Sequence, residues 1–339
     1  MCAKLNSSVV VHRLAADLRL KSSANPVQAL LSYCHRRVRK FLKDYGECST
    51  VSELLELLAN KLGTRVIEIN TDEELSALKS EYVNRGELMF AALDHQLVGS
   101  DDYGITLRLT HPQPWEQSYI SIIDCRGKKR QKKYHTKWHE LGHLLILTDQ
   151  SRLAFRRSHE FGHPKSAEES LVDSIAGEMS FYPDLIKPHL DGPISFETIE
   201  QIRQSLCPEA SIYSAVLNLS KLWPTPCVWI EARLAMKKSE ETAQESFSFR
   251  KPPERVLRAV HTAANEPARE RRLNIIPRFR VPKSSVISRV FEQGLSFGEA
   301  FEDLAQWESS GGTQLGPCKV RVQVKRIGES IHALIVPST

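Results

Sequence analysis

Five residues carry the chemistry that this sequence offers most plainly: His139, Glu140, Leu141, Gly142 and His143. On a helix, residues four apart share a face, one turn above each other. His139 and His143 can therefore present two imidazole nitrogens to one metal ion. Glu140, one residue round the helix, can take a proton without being a ligand. This spacing is that of the HExxH zinc hydrolases. Trp138, Leu141, Leu144, Leu145 and Leu147 give the same segment the apolar stripe of a buried helix. Gly142 leaves room there for a substrate or strand to come close.

A catalytic zinc site needs a third protein ligand. Asp149 lies six residues after His143, but Ile146 stands where a chain reversal would favour glycine. A second motif, HEFGH, offers His159 and His163. Glu169, in EESLVDSIAGE, is the favoured ligand, because Asp173 follows it one turn later. An acid so placed can accept a hydrogen bond from the far nitrogen of a ligating histidine and fix its tautomer. The plainer reading makes Glu168, Glu169 and Asp173 acids of a helix's first turns, with Ser166 and Glu169 forming a capping box.

Pro164 biases His163 away from helical geometry, so HEFGH reads as a loop between two metal-bearing helices. A donor for a developing oxyanion could come from His159, His163, Tyr182 or His135, and the sequence does not choose among them.

The elements around this segment must position it. YISIIDCRG (119–127) reads as a strand that could hold an extended peptide at a sheet edge. Pro26 opens a helix through Gly46, and Thr50 with Glu53 forms a capping box for the next. RVIEI reads as a strand and TDEELSALKSEYVNRG as a helix. ELMFAAL and GITLRLTH read as further strands. Two basic clusters stand out: Arg36, Arg37, Arg39 and Lys40, and the run Arg126 to Lys133. Each is either a solvated face or a surface for an acidic partner or DNA. Cys125 is a candidate inhibitory thiolate.

KYHTKWHELGHLL, the block EESLVDSIAGEMSFYP and the helical stretch PEASIYSAVLNLSKLW together resemble the ImmA/IrrE family of zinc metallopeptidases, over about 54–237. The resemblance implies one Zn2+ per chain, held by His139, His143 and Glu169, with Glu140 as the base. It also implies a protein substrate, a helix-turn-helix repressor, cleaved in a stress or mobile-element switch. Asp173 stands where the family commonly has Asn.

With 339 residues, 41% hydrophobic and 26% charged, the chain is that of an ordinary globular protein. A formal charge of +5 permits contact with nucleic acid without arguing for it. Seven scattered cysteines read as reduced thiols, and neither a signal peptide nor a membrane span is legible, so a cytoplasmic location is expected. The fold class expected is α+β: a zincin-like catalytic domain of a small sheet plus the HExxH helix, a helical extension, and a C-terminal α+β domain. The expected boundaries are an N-terminal helical segment (1–50), the metallopeptidase domain (51–190), a helix-turn-helix-like extension (191–237), a linker (238–254) and a regulatory or partner-binding domain (255–339). In that last domain RVLRAVHTA and LNIIPRFRV read as strands, SSVISRVFEQGL and FGEAFEDLAQW as helices, and KVRVQVKRI with SIHALIVP as a hairpin. The competing function is a non-catalytic, metal-containing regulator that binds DNA or a protein partner.

Overall fold

A computed structural model describes residues 5–21, 24–46, 48–99, 103–148, 154–157, 166–237, 240, 255–309, 312 and 314–338. The fold is mixed α+β, with small sheets. It divides into two compact units, one of residues 1–185 and 206–211, the other of 186–205 and 212–339.

In the first unit, helices α1 (Val9–Asp17), α2 (Pro26–Tyr45) and α3 (Val51–Lys61) precede strand β1 (Thr64–Ile69). Asn25 caps α2 and Pro26 sits in its first turn, while Thr50 and Glu53 form a complete capping box on α3. Then come α4 (Asp72–Asn84), β2 (Gly104–Arg108), β3 (Tyr119–Asp124), α5 (Lys133–Leu145), β4 (Ala154–Arg157) and α6 (Ala167–Met179). The strands form one sheet in the order β1-β3-β2-β4. β1 runs parallel to β3; β2 is antiparallel to both β3 and β4.

Strand alternation divides the work of this sheet. Ile67 and Ile69 of β1, Ile105 and Leu107 of β2, and Ile120 and Ile122 of β3 pack with Leu75, Leu78 and Tyr82 of α4. The alternate positions, Thr64, Thr106 and Ser121 among them, are buried on the opposite face, which α5 covers.

Two expectations are corrected here. β3 is an interior strand, paired on both sides, so it has no free edge for a peptide; β1 and β4 are the outer strands among those described. ELMFAAL is not a strand. It forms a 3-10 helix (Leu88–Ala92) and a short helical turn (Leu93–Gln96), because Phe90 and Leu93 bury at a spacing of three.

The second unit holds α7 (Phe196–Leu206, apart from its last residue), α8 (Ile212–Leu222), β5 (Val228–Ala235), β6 (Val256–Ala264), α9 (Val286–Glu292), β7 (Phe297–Asp303), β8 (Lys319–Ile327) and β9 (Ser330–Pro337). Its antiparallel sheet runs β6-β5-β9-β8-β7. Of segment 191–237, expected as a helical extension, residues 191–205 and 212–237 lie in the same unit as 255–339 and carry two helices and a strand. Both helices pack on the sheet. Ala215, Val216 and Leu219 of α8 are buried, and the Phe196 backbone N–H donates to Gln323 of β8 at 2.8 Å.

RVLRAVHTA is β6, SSVISRVFEQGL contains α9, and the last two strands form a hairpin turning at Gly328, whose φ is +60°. FGEAFEDLAQW is not a helix: its first seven residues are β7. The small residues Gly298 and Ala300 alternate with Phe297, Glu299 and Phe301. A Cβ at Gly298 would lie 2.6 Å from Val290 of α9, so the strand packs there only without a side chain. LNIIPRFRV makes an isolated bridge at Arg280 in place of a strand, since Pro277 lacks the N–H that a ladder needs.

Candidate metal centre

α5 and α6 lie side by side, and Gly142 is where they meet. A Cβ there would stand 3.0 Å from Cγ1 of Val172 on α6. The room that Gly142 leaves is taken by this helix, not by a substrate or strand. Close packing brings the start of α6 over the histidine face of α5.

His139 and His143 are fully buried, with ring centroids 5.0 Å apart. His139 Nε2 lies 3.0 Å from Oε2 of Glu169, and His143 Nε2 lies 3.2 Å from its Oε1. One ligand atom from each of the three residues falls within 4.8 Å of the others. Ser166 caps α6 by accepting the backbone N–H of Glu169 at 3.1 Å. The capping thus uses the backbone of Glu169 and leaves its carboxylate turned toward the histidines.

Asp173, one turn along, takes the other edge of the His139 ring: Nδ1–H donates to Oδ1 at 2.8 Å. A carboxylate only accepts, so the Nδ1 proton is fixed. A neutral His139 then directs a bare Nε2 lone pair at the Glu169 carboxylate. That arrangement calls for positive charge between them, as protons or as a metal ion. Burial opposes charging His143, but Glu168 and Glu169 outweigh it and hold the ring at about 9. Burial would raise Glu169, yet the two histidines hold it at about 2. Two imidazoles and one carboxylate are the donor set of a catalytic zinc site, so the residues fit the ion. This buried His-His-Glu group could hold a metal ion; which ion is not fixed by the group.

Glu140 is 1% exposed and is not among these ligand atoms. Burial raises its pKa, against the lowering effects of His139, His143 and the Thr106 hydroxyl. Thr106 Oγ1 donates to Oε2 at 2.7 Å. Oε1 is buried and accepts from none of the described residues. A Cβ at Gly104 would stand 2.9 Å from that oxygen, so β2 passes close beneath it.

The remaining residues singled out by sequence fall elsewhere. His135 lies one turn before His139 on the same face, its ring centroid 6.5 Å away. The Tyr182 hydroxyl donates to Asp184 at 3.1 Å, and Arg39 binds the same carboxylate at 2.7 Å; none of the three ligands is among its partners. Asp149, His159 and His163 lie outside the described residues.

Cys125 is not a thiolate. Burial and the neighbouring Glu68 push its thiol up to about 11.

Half of the basic run before α5 is tied into its own unit by acids: Arg126, Lys129 and Lys133. Arg126 forks onto Asp124 with two bonds of 2.9 Å, and Lys129 adds a third at 2.7 Å. Arg130 donates to Asn70, and Lys132 sits over the Tyr103 ring. Lys133 and the buried Lys137 pair with Glu68 and Glu209. Arg37 of the other basic cluster donates to the Leu144 and Leu145 carbonyls at 3.2 and 2.7 Å, closing the last turn of α5.

Sequence reading missed Glu168, Thr106 and Gly104 as neighbours of the site. The signal for the last two was present: in GITLRLTH, Gly104 and Thr106 alternate with Ile105 and Leu107, the pattern of a strand face pressed against a polar site.

No protein-family model matches the chain, and no curated protein matches it in sequence. Among solved structures, a Mycobacterium tuberculosis transcriptional regulator is similar over 90% of this chain and 76% of that one, at 10% identity and a TM-score of 0.37. A likeness this loose carries no argument about function.

Proposed function

We infer that the chain is a zinc-dependent endopeptidase of the ImmA/IrrE type, built on a zincin-like domain. The observation that carries this reading is the convergence of Glu169 and Asp173 on the two edges of the His139 ring, with His143 and Glu140 beside them. His139, His143 and Glu169 would hold the ion, and Asp173 would keep His139 in the tautomer that leaves Nε2 bare. When bound, zinc supplies a Lewis acid that polarises a peptide carbonyl and lowers the pKa of water.

Glu140 is the base. Its Oε1 takes a proton as water attacks the scissile carbonyl, and the carboxylic acid returns it to the leaving nitrogen. Burial favours this exchange, because it brings the carboxyl closer to neutrality than an exposed glutamate.

The resemblance to the family makes a helix-turn-helix repressor the proposed substrate, cleaved to release stress or mobile-element genes. The cytoplasm is the proposed compartment, where the free thiols of the described cysteines would persist. Among the described residues, no helix is long and apolar enough to cross a membrane. The competing reading, a non-catalytic regulator on DNA or a protein partner, loses three of the six cations in the run before α5, since Arg126, Lys129 and Lys133 pair with acids of their own unit, and keeps the exposed Lys128, Arg130 and Lys132.

The test is bound zinc per chain together with cleavage of the partner. Wild type is expected to hold one zinc and to lose it in Glu169→Ala. Glu140→Gln is expected to keep the metal and lose cleavage. Full cleavage by Glu140→Gln would overturn the mechanism.

A further inference from the structure

Three adjacent strands each place one hydroxyl on the face beneath α5, and the three hydroxyls form a line. Thr64 of β1 lies 2.8 Å from Ser121 of β3, Ser121 lies 2.8 Å from Thr106 of β2, and Thr106 lies 2.7 Å from Oε2 of Glu140. All are buried, with Thr64 at 2%, Ser121 and Thr106 at 0% and Glu140 at 1% exposure. Thr106 and Ser121 are direct register partners across β2 and β3.

The polarity of this line follows from proton counting. Each hydroxyl owns one proton, and an ionised carboxylate owns none. Thr106 must therefore donate to Glu140. Having spent its proton, its oxygen can only accept from Ser121, and Ser121 in turn accepts from Thr64. Hydrogen bonds aligned in one direction polarise each other and strengthen the last, charge-assisted one.

We propose that Thr106, backed by Ser121 and Thr64, is the positioning residue for Glu140. It ties down Oε2 and fixes the carboxylate plane, so that Oε1 alone is presented as the proton acceptor. This rests on the reading of Glu140 as the base. Gly104 belongs to the same arrangement, since its bare Cα leaves Oε1 the space that a side chain would take. A purely structural ladder of buried hydroxyls would stabilise the sheet but would not depend on which way the Glu140 carboxylate turns.

The experiment uses the zinc-loaded full chain as wild type, Thr106→Val, Thr106→Ser, Ser121→Ala and Glu140→Gln. Valine keeps the β-branched shape and removes the donor; serine keeps the donor. High-resolution crystal structures read the orientation of the Glu140 carboxylate, and hydrolysis of a mixed fluorogenic peptide library reads turnover. Thr106→Val is expected to rotate the carboxylate and lower kcat about 10- to 100-fold with KM nearly unchanged. Thr106→Ser is expected to restore both, and Ser121→Ala to fall between. An unrotated carboxylate in Thr106→Val overturns the proposal, as does a loss that serine does not rescue. If wild type cleaves nothing that Glu140→Gln fails to cleave, the peptidase reading fails, and the carboxylate orientation still decides the positioning role.

Discussion

Glu169 and Asp173, one turn apart on α6, grip opposite edges of the His139 ring, at 3.0 Å from Nε2 and 2.8 Å from Nδ1. The imidazole is thereby held in both plane and tautomer by a single helix. Asp173→Ala frees the ring without removing a ligand. Its zinc affinity is expected to fall about 10- to 100-fold, as for other partners of metal-bound histidines. Competition with a chromogenic chelator measures this, and an unchanged affinity would remove Asp173 from the site.

In the proposed site, zinc and protons would compete for the same positions. At pH 7 the metal-free His143 is held at about 9 and is charged, whereas a ligand needs a bare nitrogen. Zinc binding at pH 7 is expected to release at least about one proton, and its apparent affinity to rise with pH up to about 9. Without metal the sign for folding is reversed. The raised His143 pKa contributes stability below the unfolded value of about 6.5, and that contribution is lost as pH rises through about 9. Calorimetry in buffers of different ionisation enthalpy reads the proton release; a binding enthalpy independent of buffer would contradict it.

Gly104→Ala puts a methyl 2.7 Å from Thr136 Cγ2 and 2.9 Å from Glu140 Oε1, with the Ile122 carbonyl at 3.2 Å. Backbone on one side prevents relief, so Thr136 and Glu140 must both give way. A destabilisation of about 1–3 kcal/mol is expected, as for overpacked cores. Thermal unfolding measures it, and a stability equal to wild type would show that β2 and α5 separate more readily than this packing allows.

Asp124 anchors the paired run before α5. Its side chain is fully buried against Arg126 and Lys129. Burial alone would raise its pKa, but these two cations lower it. The pair therefore contributes stability above the unfolded value of about 4, lost as pH falls through the lower folded value. Asp124→Asn is expected to cost about 3 kcal/mol at pH 7, because it takes the acid from the largely buried Lys129 and leaves Arg126 with Asp72 alone. The cost should shrink as pH falls below the unfolded value of about 4, where wild type itself begins to lose this contribution. Denaturant titrations of both proteins at pH 7 and pH 3 check this.

The ligand geometry was legible because α-helical spacing converts directly into a shared face: 139 with 143, and 169 with 173. Pairing between strands is not local in that way. YISIIDCRG reads as a strand, but whether it lies inside the sheet or at its edge depends on β1 and β2, which local alternation cannot place. FGEAFEDLAQW misled because Ala, Glu and Leu suit helices, while its decisive residue, Gly298, acts through a contact with Val290. Basic residues crowded into one stretch look like a surface patch until their acids appear. Asp124 stands just before the run, but Glu68 and Asp72 come from the far end of β1 and the start of α4, and Glu209 returns to this unit from beyond the start of the second.

The Arg37 contacts with the Leu144 and Leu145 carbonyls span 107 and 108 residues, and they close the turn that follows His143. Such a clasp has the entropy of a long loop to overcome before it forms. During synthesis α2 emerges first, so the arginine is already made when α5 leaves the ribosome. The spacing of the two histidines is set by the helix itself, but the turn that closes it is clasped only once the chain has collapsed around it. Truncating the first helices would leave HELGH intact in sequence but with its C-terminal turn unclasped.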